Sequence, residues 1–238
     1  MINIYQEIVK SKSENKKLLA ILIDPDKVSV RSIPDIIQNI KRSPATHIFV
    51  GGSSFNGTHL DDLIIEIKSK INLPILLFPG SFSQISKEAD GILFLMLLSG
   101  RNSDYLIEHQ INAVPLLNKT NLEIISTGYI LIESGNETAV ERVSKTKPID
   151  RNNSEYTLQT AQAGQLIGNQ LIYLEAGSGA KLSVPTEMIA LVSQNIKIPL
   201  IVGGGIRTKE QIENAYKAGA DLVVIGTAFE NDATFFCS

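Results

Sequence analysis

Cysteine is almost missing from this chain: of 238 residues, Cys237 alone carries a thiol. A single thiol excludes a disulfide framework and a thiolate-built metal centre, and it fits a reducing, cytoplasmic setting. Histidine is nearly as scarce. His47, His59 and His109 stand apart without the paired spacing of metal ligands, so no zinc site is expected. An excess of positive charge is lacking too: 22 Lys and Arg stand against 25 Asp and Glu, a formal net charge of −3. A nucleic-acid partner, which needs a clustered basic face, is therefore not expected. No apolar run approaches the ~20 residues of a membrane-spanning helix. The N-terminal run Met-Ile-Asn-Ile-Tyr-Gln-Glu lacks the basic-then-apolar form of a secretory leader. Also absent are a G-x-G-x-x-G turn with its acidic ribose ligand, a Schiff-base lysine motif, and a Ser-His-Asp set placed to act as a triad.

What the chain does have is apolar content of 43%, enough to build one large α/β domain over residues 1–238. Its organising stretch runs from Ile198 to Phe229. Two short apolar segments, 200–202 and 222–225, are β-branched as in strands covered on both faces, and each ends in glycine. The first ends in Gly203-Gly204-Gly205, the second in Gly226-Thr227. Between them Thr208 and Gln211 fit a capping box, and Ile212, Ala215, Tyr216 and Gly219 share a helical face. Glycines at strand ends let several backbone N–H groups approach a phosphate that a Cβ would keep away. A helix starting just after the turn adds the positive end of its dipole. The competing reading of Gly203 to Gly205 is a tight turn and nothing more.

Further strands are expected at 18–23, 46–50, 74–78, 91–98, 129–133 and 170–175, alternating with helical stripes such as Ile33, Ile36, Ile37 and Ile40. A leading helix is expected over 2–15, a helix over 101–111, mixed structure over 115–125 and a helix over 186–194. Alternation at this spacing predicts a parallel sheet, and eight units favour closure into a modified (β/α)8 TIM barrel. Residues 81–88 hold at most a very short helix, so the outer helix after strand 3 is expected to be short or missing. The polar stretch 133–155, with Lys145, Lys147 and Arg151, reads as a lid bringing cations to a negatively charged substrate, or else as a solvated excursion.

In such a barrel, chemistry sits at the C-terminal strand ends. The polar groups expected there are Asp24, Asp26, Ser53, Ser54, Glu133, Glu175, Ser178 and Thr227. A phosphate site facing acidic groups suits a phosphorylated substrate with Mg²⁺, which takes one or two carboxylates and completes its shell from substrate phosphates and water. Three classes stay open on this evidence: a transferase of this kind, a sugar-phosphate isomerase or flavin oxidoreductase, and a non-catalytic phosphometabolite-binding barrel.

Tyr173-Leu174-Glu175-Ala176-Gly177-Ser178-Gly179, the Gly203-to-Arg207 turn, Gly226-Thr227-Ala228, Ile23-to-Lys27 and Val50-Gly51-Gly52-Ser53 together resemble geranylgeranylglyceryl phosphate synthases, relatives of the heptaprenylglyceryl phosphate synthases. The resemblance covers nearly the whole chain in matching order and implies a TIM barrel that has lost one outer helix. It implies transfer of a prenyl chain, geranylgeranyl by default, from a long-chain prenyl diphosphate to the 3-hydroxyl of sn-glycerol 1-phosphate, the first step towards an ether lipid. It further implies that Tyr173, Leu174, Glu175, Ala176, Gly177, Ser178, Gly179, Gly204, Gly205, Gly226 and Thr227 bind glycerol phosphate, that Asp24 and Ser53 bind Mg²⁺, and that the protein is a homo-oligomer, dimer or hexamer. Glu175 and Asp24 are the candidate catalytic residues. Glu175 orients the acceptor hydroxyl and accepts its proton, or alternatively only hydrogen-bonds the glycerol; Asp24 holds the ion, or alternatively only caps a helix. Phe78, Pro79 and Leu97 are candidates for the wall of a prenyl groove.

Overall fold

The computed structural model describes residues 3–52, 59–231 and 235–236; Ser53, Ser54 and Cys237 lie outside them. Eight parallel strands close into a barrel: β1 Leu18–Ile23, β2 His47–Val50, β3 Ile75–Leu77, β4 Gly91–Leu97, β5 Glu123–Leu131, β6 Leu171–Glu175, β7 Leu200–Gly203 and β8 Leu222–Ile225. The ring shuts where β8 pairs with β1, Leu18 opposite Leu222 and Ile21 opposite Ile225. The helices are α1 Ile4–Ser13, α2 Ile33–Lys41, α3 Leu60–Lys70, α4 His109–Leu117, α5 Ala139–Ser144, α6 Ser154–Leu166, α7 Thr186–Asn195, α8 Lys209–Lys217 and α9 Thr227–Asn231.

The strands are apolar throughout because both of their faces are covered. One alternating set, including Ala20, Phe49, Leu76, Leu93, Tyr129, Tyr173, Ile201 and Val224, fills the barrel. The other, including Ile21, Ile48, Leu77, Ile130, Leu174, Val202 and Val223, packs outward with Ile37, Ile64, Ile189 and Ile212 of the helices. α1 plugs the N-terminal end: Ile4 and Ile8 join the inner cluster. The Glu123 carboxylate fixes the plug by accepting the backbone N–H of Ile4 at 2.6 Å and of Tyr5 at 2.8 Å. The opposite end stays open, and the cavity lies there.

Residues 78–90 carry no helix, so the outer layer is missing an element after β3, as expected. Gln84 folds this connection back by accepting the Gly80 N–H at 2.8 Å, and Asp90 accepts the Ile75 N–H at 2.8 Å.

Three expectations need correction. β5 begins six positions before residue 129, pairing Glu123 to Tyr129 with Gly91 to Leu97 of β4. Its polar first half is satisfied locally: the Ser126 N–H donates to Gln170 at 2.9 Å and the Thr127 hydroxyl to the Ile125 carbonyl at 3.0 Å. The helix expected over 101–111 is a π-helical turn, Asp104–Glu108, running into α4, which continues past Pro115. α6 has no counterpart in the sequence reading because its buried face is Thr157, Thr160, Ala161 and Gly164. Small residues at i, i+3, i+4 and i+7 let a helix approach the barrel closely without leaving an apolar stripe.

Candidate active site

The glycine-lined end of the cavity comes from three strand ends. β7 runs into Gly204 at φ +78° and Gly205 at φ +68°, a left-handed pair that favours glycine. A Cβ on Gly204 would press on the Glu175 carboxylate and come within 2.6 Å of the Gly177 nitrogen. Directly after the turn, Thr208 and Gln211 form the expected capping box that starts α8. The β6 loop turns through Gly177 and Gly179, again with positive φ. The Arg207 guanidinium donates to the Ala180 carbonyl at 2.8 Å, tying the β7 turn to the β6 loop. Gly226 follows β8, and α9 starts at Thr227 on the same rim. Glu175, Gly177, Ser178, Gly179, Gly204, Gly205, Gly226 and Thr227 all line one cavity with Asp24.

Glu175 closes β6 with 5% of its surface exposed. Its Oε1 accepts the Gly177 N–H at 2.7 Å. Burial pushes its carboxyl up to about 7, while the neighbouring Tyr173 hydroxyl and the Gly177 N–H partly offset that rise. The Tyr173 hydroxyl lies beside this carboxylate without reaching full hydrogen-bond geometry. Burial, with the Glu175 charge added, raises Tyr173 and Tyr129 well above the ordinary tyrosine value, so both stay protonated donors. A buried carboxyl near neutrality beside a phosphate loop can take up a proton at working pH.

Across the mouth, the Lys27 ammonium sits between two carboxylates, 3.5 Å from Asp24 and 3.0 Å from Glu230 of α9. Both acids lower the energy of the charged lysine; its pKa stays raised even though burial pulls the other way. Gly52 leaves room at Asp24, since a Cβ there would come within 2.6 Å of Oδ1. Among the described residues no three His, Cys, Asp or Glu side chains gather to hold a metal. Asp24 and Glu230 beside the glycine turns fit Mg²⁺, which takes one or two carboxylates and completes its shell from substrate and water, and do not fit an all-protein cage.

Most of the rest of the cavity is apolar. Phe78, Pro79, Leu93, Leu97, Tyr105 and Val140 line it. The Phe78 ring stacks on Tyr173 at 5.4 Å and lies 6.1 Å from Tyr129, placing an aromatic floor between the charged rim and the apolar wall.

Not every expected residue reaches this cavity. Leu174 and Ala176 pack in the outer layer, because their neighbours on β6 and its loop face inward; only their backbone runs along the site. Asp26 and Glu133 are not among the lining residues. The Asp26 N–H instead donates to Asp24 Oδ1 at 3.1 Å, and Glu133 caps Gly135 at 2.5 Å. Ser53 lies outside the described residues. The cations of 133–155 do not face the cavity. Arg151 donates to the carbonyl of Glu133, Lys147 is 87% exposed, and this segment instead contributes Val140 and Val143. Sequence reasoning gave no role to Lys27, Arg207 or Glu230, although the first two stood inside quoted motifs.

Known proteins resemble this chain over nearly its whole length. A model of the PcrB family matches residues 10–236. A geranylgeranylglyceryl phosphate synthase of Flavobacterium johnsoniae is 61% identical over 238 residues, covering 100% of this chain and 98% of the relative. One of Thermococcus kodakarensis is 44% identical, covering 93% and 88%. The crystal structure of (S)-3-O-geranylgeranylglyceryl phosphate synthase from Thermoplasma acidophilum, in complex with its substrate sn-glycerol-1-phosphate, superposes with a TM-score of 0.93 at 34% identity, covering 99% of this chain and 95% of that one. The chain belongs to the PcrB family, alongside these geranylgeranylglyceryl phosphate synthases.

Proposed function

We propose that this protein is a prenyltransferase that joins the geranylgeranyl group of geranylgeranyl diphosphate to the 3-hydroxyl of sn-glycerol 1-phosphate, releasing diphosphate. The observation that carries this reading is one cavity with glycine phosphate turns, a buried near-neutral Glu175 and an apolar aromatic wall in continuity. A sugar-phosphate isomerase has no use for the apolar half.

In this reading the phosphate of the acceptor sits against Gly177, Gly179, Gly204 and Gly226, which positions its 3-hydroxyl towards Glu175. As the allylic C–O bond breaks, the hydroxyl oxygen attacks the electron-poor carbon, and Glu175 accepts the hydroxyl proton. Holding both partners in place saves the entropy of a bimolecular encounter, and the apolar wall keeps water from the cationic carbon. Lys27 places a positive charge at the same rim, where the leaving diphosphate gathers charge. Asp24, with Ser53 as the second residue implied by the family pattern, is assigned to hold Mg²⁺. When bound, that ion neutralises charge on the departing diphosphate.

A homo-oligomer is part of the reading. Ile107, Ile111 and Val114 leave an apolar stripe 46–53% exposed, at i, i+4 and i+7 along the π-turn and α4, a feature that supports burial against another copy. Among the described residues no helix is long and apolar enough to cross a membrane. Incubation with sn-glycerol 1-phosphate, Mg²⁺ and prenyl diphosphates of graded length, read by mass spectrometry, tests the assignment. A geranylgeranyl ether is expected; no ether with any diphosphate would reject it.

A further inference from the structure

The six-residue helix α5 touches both halves of the cavity, and its two ends are fastened to different things. At its N-terminal end the preceding loop is stitched to the glycine loop after β6. Asn136 Oδ1 accepts the Lys181 N–H at 2.9 Å and its amide nitrogen lies 3.5 Å from the Gly179 carbonyl. The Ser134 carbonyl accepts the Leu182 N–H at 3.1 Å. Thr138, the N-cap of α5, packs so tightly on Gly177 that a Cβ there would come within 2.5 Å of its methyl group. At the other end, the Tyr105 hydroxyl donates to the Val143 carbonyl at 3.0 Å and the Asn102 amide to the Ser144 carbonyl at 2.8 Å. Between these anchors Val140 and Val143 line the apolar part of the cavity, Val143 still 39% exposed.

A helix of one and a half turns has little stability of its own and takes its order from what it packs against. An apolar chain lying on Val140 and Val143 would remove their surface from water and so favour the docked position of α5. Docked α5 holds Asn136 and Thr138 against Gly177 and Gly179. Given the substrates assigned above, we infer that α5 couples the two substrate sites, with Asn136 and Thr138 as positioning residues: a bound prenyl chain orders the glycerol-phosphate loop, and a bound glycerol phosphate strengthens the hold on the prenyl chain. The coupling is reciprocal, because the same element is ordered by both ligands.

The test measures the Kd of sn-glycerol 1-phosphate by calorimetry on the full chain, with and without the non-reactive S-thiolo analogue of geranylgeranyl diphosphate. In the unaltered protein the analogue should tighten glycerol phosphate at least about fivefold, the lower end of typical site-to-site coupling. Asn136→Ala should cut that enhancement to below about twofold while the analogue's own Kd, measured alone, stays within about twofold. Thr138→Val, which keeps the packing on Gly177 but removes the cap, should reduce the enhancement as well. An equal Kd with and without analogue, or full enhancement in Asn136→Ala, overturns the inference. Enhancement that survives both substitutions would mean the ligands influence each other directly, not through α5. No glycerol phosphate binding in either condition would overturn the substrate reading and the inference with it, a result distinct from binding without enhancement.

Discussion

Replacing Glu175 by glutamine separates the stability cost of this residue from its chemical use. Folding raises its carboxyl from 4.5 to about 7, chiefly by burial. The folded protein therefore binds more protons than the unfolded chain between those values, so the penalty grows as pH rises through that window and is complete above it. At 1.36 kcal/mol per pKa unit, the cost of keeping Glu175 ionised is about 3 kcal/mol near pH 8 and below about 1 kcal/mol near pH 5. Glutamine retains an oxygen to accept the Gly177 N–H, which the carboxylate now takes at 2.7 Å, but it carries no charge to bury. Urea unfolding should thus show Glu175→Gln more stable than the parent by about 2–3 kcal/mol at pH 8, with most of that gain gone at pH 5. Turnover should fall by about 10²-fold or more, the usual contribution of a general base. In the parent, kcat/KM should drop about tenfold per unit as pH falls below 7 and Glu175 becomes protonated. A stability gain that ignores pH refutes the burial argument. Loss confined to glycerol phosphate affinity, with kcat unchanged, refutes the base and leaves Glu175 as a binding group.

Asp24→Asn should abolish turnover while leaving the unfolding midpoint within about 1 kcal/mol of the parent, since this carboxylate is part-exposed and its ion pair with Lys27 is long. Excess chelator should stop the parent enzyme, and full activity in chelator would remove the metal from the assignment. Lys27→Met should lower kcat/KM for the prenyl diphosphate about tenfold or more, the loss of one charge contact at the leaving group, with the Kd of glycerol phosphate unchanged; an effect on glycerol phosphate alone would place the lysine at the wrong substrate. Gly204→Ala forces a left-handed residue to carry a Cβ against Glu175 and the Gly177 nitrogen. It should cost about 1–3 kcal/mol in stability and weaken glycerol phosphate binding, both read by calorimetry.

The sequence was most legible where local chemistry decides. β1 and β8 fall on the boundaries expected from their apolar runs, and the glycine turn after β7 stands at a strand end where Gly204 and Gly205 take positive φ. The missing helix after β3 was visible as a stretch too irregular to repeat every three or four residues. Legibility failed where the answer depends on a partner far along the chain. Lys27 and Glu230, 203 positions apart, form an ion pair only because β8 returns to β1. The stretch 133–155 read as a lid bringing cations near an anionic substrate or as a solvated excursion; Arg151 is instead taken up by the carbonyls of Glu133 and Ser183, contacts that exist only once the β5 and β6 loops lie side by side. α6 escaped because its buried face is made of threonine, alanine and glycine.

Under the proposed function, ring order sets how the two substrates would lie. The groups assigned to phosphate come from the ends of β6, β7, β8 and β1, which are neighbours around the barrel. The apolar wall comes from the connection after β3, from β4, and from the turn and helix that follow it, on the other arc. A diphosphate at Asp24 and Lys27 with its tail towards Leu97 and Tyr105 must cross the centre of the mouth. There Phe78, Tyr129 and Tyr173 lie within 5.4–6.1 Å of one another. In the proposed reading the bond that breaks lies over aromatic rings, whose negative faces favour a carbon gaining positive charge more than water-excluding aliphatic groups would. Glu175, buried at the end of β6 where the two arcs meet, is the carboxylate to which that reading gives the glycerol hydroxyl's proton.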